Sequence, residues 1–78
     1  MKILNLLDAE YNKDYFIEDI KTDDEKIKLK LNDLGFLKNE KIKLLNNNYG
    51  KTSFLVKVMG VNYAVDKNVC EEIYIKDE

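Results

Sequence analysis

The sequence predicts a small, mainly β domain with one short α-helix between its first and second strands. Three observations lead there. Short runs in which apolar and polar residues alternate recur along the chain. A single segment carries helix start and stop signals together. No Pro/Gly/Ser-rich linker, internal repeat or low-complexity tract divides the 78 residues, so one domain is expected over 1–78, with room for one modest core.

The first strand is expected from Tyr15 to Lys21, where Tyr15, Phe16, Ile17 and Ile20 are β-formers. Alternation breaks at Asp19, as it does at a strand end or a bulge. Between Glu40 and Asn46, Ile42 and Leu44 alternate with Lys41 and Lys43, the pattern of a half-buried antiparallel strand. From Thr52 to Met59, Phe54, Val56 and Val58 share one face and Leu55, Lys57 and Met59 the other. The turn cluster Asn46-Asn47-Asn48-Tyr49-Gly50 joins these two runs into a hairpin. Gly60 then interrupts the apolar run ahead of a strand built on Val61, Tyr63 and Val65. Asp66 to Glu72 has room for one helical turn, and Ile73-Tyr74-Ile75 forms the last strand.

The segment from Thr22 to Gly35 fits two periods. With period two, Ile27, Leu29 and Leu31 alternate with Lys26, Lys28 and Lys30; with helical spacing, Ile27, Leu31 and Leu34 share a face. Local chemistry favours the helix, from Asp23 to Leu34. Thr22 and Glu25 fit a capping box, Asp23 and Asp24 complement the dipole, and Gly35 suits the left-handed position after a helix. This choice leaves Leu29 pointing outward, as an ordinary exposed leucine or as part of a contact surface.

Composition excludes several functions. The charged residues are 13 Lys against 15 Asp and Glu, a net charge of −2 without arginine, and they are interspersed. A phosphate-binding surface would need a basic stripe, so no nucleic-acid partner is expected. There is no histidine, no Gly-rich phosphate loop, and no Ser or Cys beside a plausible base, so the chain is not expected to be an enzyme. No cofactor or metal is expected either; Asp23, Asp24 and Glu25 lack the spacing of a Ca²⁺ loop and read as helix-start acids. Cys70 is the single cysteine, which fits a reducing compartment, and Glu71 and Glu72 beside it would raise its thiol pKa. The opening Met1 to Asp8 is too broken for a secretory signal, and no apolar run approaches the ~20 residues of a membrane span. A cytoplasmic protein is expected.

Taken in order, Ile17 and Ile20, Lys30-Leu31-Asn32-Asp33-Leu34-Gly35-Phe36, Ile42-Lys43-Leu44-Leu45, Val56-Lys57-Val58-Met59-Gly60, Tyr63-Ala64-Val65 and Cys70-Glu71-Glu72-Ile73-Tyr74-Ile75 resemble the FeoA family. The resemblance covers roughly residues 15 to 75. Lys30-Leu31 stands where the family usually has Arg-Leu, Lys38-Asn39 where it has a Pro-Gly turn, and Asn12-Lys13 at another such turn. The family's leading leucines match Leu4 and Leu7 with a longer loop between. The resemblance implies a small SH3-like barrel, a cytoplasmic location and an accessory role in ferrous iron transport, bound to the GTP-dependent membrane transporter FeoB. The alternative is a freestanding relative of the similar barrel found in metal-dependent transcription regulators, binding a protein or peptide.

Within either reading, Leu31, Asp33, Leu34, Gly35 and Gly60 are structural motif residues. Phe36 and Leu37 read first as core residues that begin the next strand. Leu29, Lys30, Leu37 and Tyr49 are the candidate partner-binding residues, because exposed apolar and tyrosine side chains are favoured at interfaces. Exposed strand edges also predict self-association.

Overall fold

A computed structural model describes residues 2–46 and 52–77. Among these residues six strands, β1 (Ile3–Asn5), β2 (Asp14–Ile20), β3 (Lys41–Asn46), β4 (Ser53–Val58), β5 (Val61–Asp66) and β6 (Ile73–Lys76), form one sheet in the order β1-β6-β2-β3-β4-β5. All its pairings are antiparallel. Helix α1 (Glu25–Leu34) lies between β2 and β3, and the single turn α2 (Lys67–Cys70) between β5 and β6.

The sheet curls around one core because its buried residues alternate. Tyr15 and Ile17 on β2, Ile42 and Leu44 on β3, Val56 and Val58 on β4, and Ile73 and Ile75 on β6 all point inward, with Val65 from β5. Leu6, Leu31, Phe36 and Cys70 close the core from the connecting segments. Ile20 has the wrong parity to join Ile17 and is nevertheless buried. A bulge between Ile17 and Asp19 resets the alternation, so the break at Asp19 is a bulge and not a strand end. The Asp19 carboxylate accepts the Ile20 N–H at 2.8 Å, which fixes the reset.

Five strands are legible in the sequence; the sixth, β1, is not. Three residues carry no period, and Ile3–Asn5 is a strand because it pairs with β6, Leu4 opposite Ile75. As a result α1 lies between the second and third strands of the chain. Leu6 follows in a single 3-10 turn and is fully buried. Asn5 anchors this start: its Oδ1 accepts the Leu7 N–H at 3.0 Å and its Nδ2 donates to the Glu71 carbonyl at 2.6 Å.

Helix α1 begins two residues later than expected. Its N-cap is Asp24, whose Oδ1 accepts the N–H groups of Lys26 at 3.0 Å and Ile27 at 3.4 Å, while the Thr22 hydroxyl turns to the Asp24 N–H. The capping box of Thr22 and Glu25 is therefore replaced by a single aspartate cap. Leu31 is buried, Ile27 and Leu34 are half-buried against the core, and Leu29 is 55% exposed, the helical outcome of the two periods. The helix ends as Gly35 predicts. Gly35 takes φ +105°, its N–H donates to the Asn32 carbonyl at 3.0 Å, and the Phe36 N–H donates to the Leu31 carbonyl at 2.9 Å. This is the doubly bonded Schellman end, with its customary apolar pair supplied by Leu31 and Phe36.

Among the described residues, two asparagines adopt a glycine-like backbone in the turns. Asn39, in the pair standing for Pro-Gly, has φ +72°, and Asn12 has φ +64°. Asparagine tolerates that region better than other residues with a Cβ.

Candidate functional site

The surface with most to offer lies around α1, whose apolar face packs against the core. A groove lies on each side of α1, one against β5 and one against β2. Leu31 is the buried anchor of the apolar face, with Ile27 and Leu34 half-buried beside it. Leu29, two residues and therefore about 200° away, rides the outer crest.

On one flank the groove between α1 and β5 has a volume of about 460 Å³. Its walls are mostly apolar: Ile27 and Leu34 from the helix, Tyr63 and Val65 from β5, and Val69 from α2. The Tyr63 hydroxyl donates to the Leu34 carbonyl at 3.3 Å and its ring packs on Phe36 with centroids 5.5 Å apart, so this wall is braced. Lys30 stands on the helix rim and Asp66 at the end of β5. On the other flank a groove of about 350 Å³ lies between α1 and β2, lined by Ile20, Phe36 and Leu37 with Lys28, Glu18 and Lys38 around them. Glu18 is held there by Lys76 at 3.0 Å and Lys38 at 3.7 Å, and the Lys76 bond draws its pKa below the usual carboxylate value.

The candidate residues are thus distributed across the helix. Lys30 belongs to the β5 flank, Leu37, 45% exposed, to the β2 flank, and Leu29 to the crest between them. Tyr49 lies outside the described residues. Asp33 is exposed on α1, while Leu31, Leu34 and Gly35 build the helix end. The reading of Leu37 as a core residue is corrected: the turn after Gly35 points it outward, and Phe36 alone enters the core.

Sequence reasoning missed Met59 and Val61, which are 64% and 48% exposed. Met59 and Gly60 form the two-residue turn between β4 and β5, with φ +52° and +78°, a conformation for which two positive φ values are required. Methionine is an unusual occupant, and its side chain folds back over Gly35: a Cβ on Gly35 would meet Met59 Sδ at 2.5 Å. Gly35 is therefore needed for space as well as for φ. By contrast a Cβ on Gly60 would meet nothing within 4 Å, so its requirement is conformational only. The signal available was the Met-Gly pair at the end of an apolar run, a two-residue hairpin turn without its usual Asn or Asp.

A third hollow, of about 440 Å³ near the β3–β4 side, is charged, and Asp14 there sits 3.5 Å from Lys43 and 3.9 Å from Lys41. Cys70 is fully buried, its Sγ 3.7 Å from the Val65 carbonyl, and burial first, then Asp66 and Glu71, push the thiol up to about 12. It remains a protonated core residue, and the predicted direction of its shift holds with burial as the main cause. Among the described residues no three of His, Cys, Asp and Glu are grouped to hold a metal ion. Asp24, the middle acid of the helix start, is already engaged as a cap. No helix among the described residues is long and apolar enough to cross a membrane.

Comparison with known proteins gives this surface a context. The family model described as the FeoA domain matches residues 4–77. No curated protein matches the chain by sequence. Among solved structures, the FeoA protein of Chlorobium tepidum superposes with a TM-score of 0.85 at 18% identity, over 95% of this chain and 70% of that one. Zinc-complexed FeoA of Stenotrophomonas maltophilia, described as a prokaryotic SH3 domain protein and candidate ferrous iron transport activating factor, gives 0.79 at 18%, over 94% and 89%. A manganese-dependent transcriptional repressor gives 0.86 at 9% identity over 97% of this chain and 42% of its own, so the chain spans less than half of that protein. The small SH3-like β architecture is common to all three.

Proposed function

The chain belongs to the FeoA domain family, and from that premise we propose that it is a cytoplasmic, non-catalytic accessory protein of ferrous iron transport that binds and modulates the cytosolic part of a FeoB-like, GTP-dependent transporter. The match over residues 4–77 carries this reading. Supporting it, the described surface offers a mostly apolar groove beside a helix, which suits contact with a protein. The test is co-purification with the cytosolic part of a FeoB-like transporter from the same cell, followed by calorimetric titration. A complex of micromolar affinity is expected. Absence of any complex at micromolar concentrations refutes the proposal.

A second reading has its own support in the repressor likeness, with a TM-score of 0.86. On that reading the chain is a counterpart of a repressor's barrel and binds a regulator protein. A pull-down that recovers a transcription factor and no transporter would favour it over the first.

A further inference from the structure

The two ends of the sheet are defended unequally. β1 is three residues long, and a short edge offers little to pair with. β5 is six residues long, lies at the other end of the sheet, and pairs with β4 without a bulge from Val61↔Val58 to Asp66↔Ser53. Its sequence, Val-Asn-Tyr-Ala-Val-Asp, contains neither the lysine nor the proline with which natural edges are usually blunted.

The turn fixes which of its backbone groups are free. In a two-residue hairpin the closing pair, Val58 and Val61, exchanges both hydrogen bonds, and hydrogen-bonded and non-bonded pairs then alternate. Tyr63 and Val65 therefore bond back to β4, whereas Asn62 and Ala64 direct their N–H and C=O groups outward. Both residues are exposed, and Ala64 adds no bulk at the edge. On the inward face the same edge opens into the α1–β5 groove, lined by Ile27, Leu34, Tyr63 and Val69.

We propose that β5 accepts an extended segment of the partner protein as a seventh strand, its side chains opposite Tyr63 and Val65 entering the α1–β5 groove. The inference rests on the reading of this domain as a partner-binding module and names the surface it uses. An outward ladder of backbone groups demands an extended chain, the apolar groove demands apolar residues at alternate positions, and Lys30 on the rim, without an ion pair among the described residues, favours a carboxylate beside them. A second copy of the chain is a poorer occupant. Edge-to-edge pairing over six residues is roughly 20 Å long and one strand wide, far short of the ~1,200 Å² that a stable interface buries.

Two probes test this with the intact protein. A phage-displayed library of random heptapeptides is selected on it, and the strongest clone is synthesised. The second probe is the cytosolic part of the transporter. Enriched peptides are expected to alternate apolar with other residues and to carry an acid. Either ligand is expected to slow amide hydrogen exchange at Asn62 and Ala64 specifically, since Tyr63 and Val65 are already bonded within the sheet. Ala64→Pro removes an outward N–H without touching the β4 ladder and is expected to weaken binding about tenfold, the worth of roughly one hydrogen bond; Lys30→Glu is expected to weaken it as well. The exchange measurement uses the wild-type chain and decides the matter even if Ala64→Pro fails to fold. Binding of the transporter part with no protection at Asn62 and Ala64 overturns this proposal and leaves the proposed function standing. Peptides that protect these amides while the transporter part does not bind uphold the docking edge and sink the transporter reading. Light scattering that shows a tight dimer, with the same two amides protected at high concentration, replaces the partner segment by a second copy.

Discussion

Truncating Leu31 and Leu29 to alanine separates the inner face of α1 from its crest. Leu31 is 6% exposed and packs in the core, and its carbonyl accepts the Phe36 N–H that ends the helix. Removing three carbons there loses transfer free energy and leaves a cavity, a combined cost of ~2–5 kcal/mol. A domain of this length has a stability of roughly 4–12 kcal/mol, so the variant loses a large share of it and its Tm falls by roughly 8–40 °C. Leu29 is 55% exposed, and Leu29→Ala is expected to change stability by no more than ~0.5 kcal/mol. Urea titration followed by far-UV circular dichroism and by tyrosine fluorescence suits a chain with five tyrosines and no tryptophan. Equal destabilisation by the two substitutions would refute the helical partition of this segment. A folded Leu29→Ala variant that loses its partner would instead place the crest in the recognition surface.

The glycines at the two tight corners should respond differently. Gly35→Ala combines φ +105° with a clash against the flexible Met59 side chain and is expected to cost ~1–2 kcal/mol, partly recovered in a Gly35→Ala, Met59→Ala double variant; Gly60→Ala carries backbone strain alone, ~1 kcal/mol, and should gain nothing from Met59→Ala. Because the folded pKa of Glu18 is lowered by Lys76 and Lys38, its contribution is present above the ordinary carboxylate pKa and disappears as pH falls. Glu18→Gln should therefore lower Tm slightly at neutral pH, with the difference from wild type vanishing in acid. Cys70 has the opposite sign: its folded pKa is raised from 9.0 to about 12, so its stabilisation is complete below about pH 9 and is lost as pH rises toward 12. Urea midpoints of wild type and Cys70→Ala across that range should converge as pH rises, and a constant gap would contradict the buried thiol.

The strands from β2 to β6 and the helix were legible because their signals are local. Alternation in Ile42, Leu44, Val56 and Val58 needs only a sheet with one buried face, and Gly35 marks the helix end through its own φ preference. Local rules also explain where sequence reasoning ran out. Strand β1 exists because β6 has a free edge beside it, a fact 70 residues away in the chain. Thr22 and Asp24 are both good caps, and in the folded chain it is the Asp24 carboxylate that accepts the Lys26 and Ile27 N–H groups. Only the folded chain places Met59 over Gly35, separates Lys30 from Leu37 on opposite sides of α1, and puts Asn62 and Ala64 on the end strand of the sheet. Those relations join residues that chain spacing does not, so they follow from how the sheet curls and where the helix lies on it. The residue types and their periods thus determined by themselves a mainly β domain with one helix, whereas the tertiary packing decided which of its exposed groups stand together as a surface.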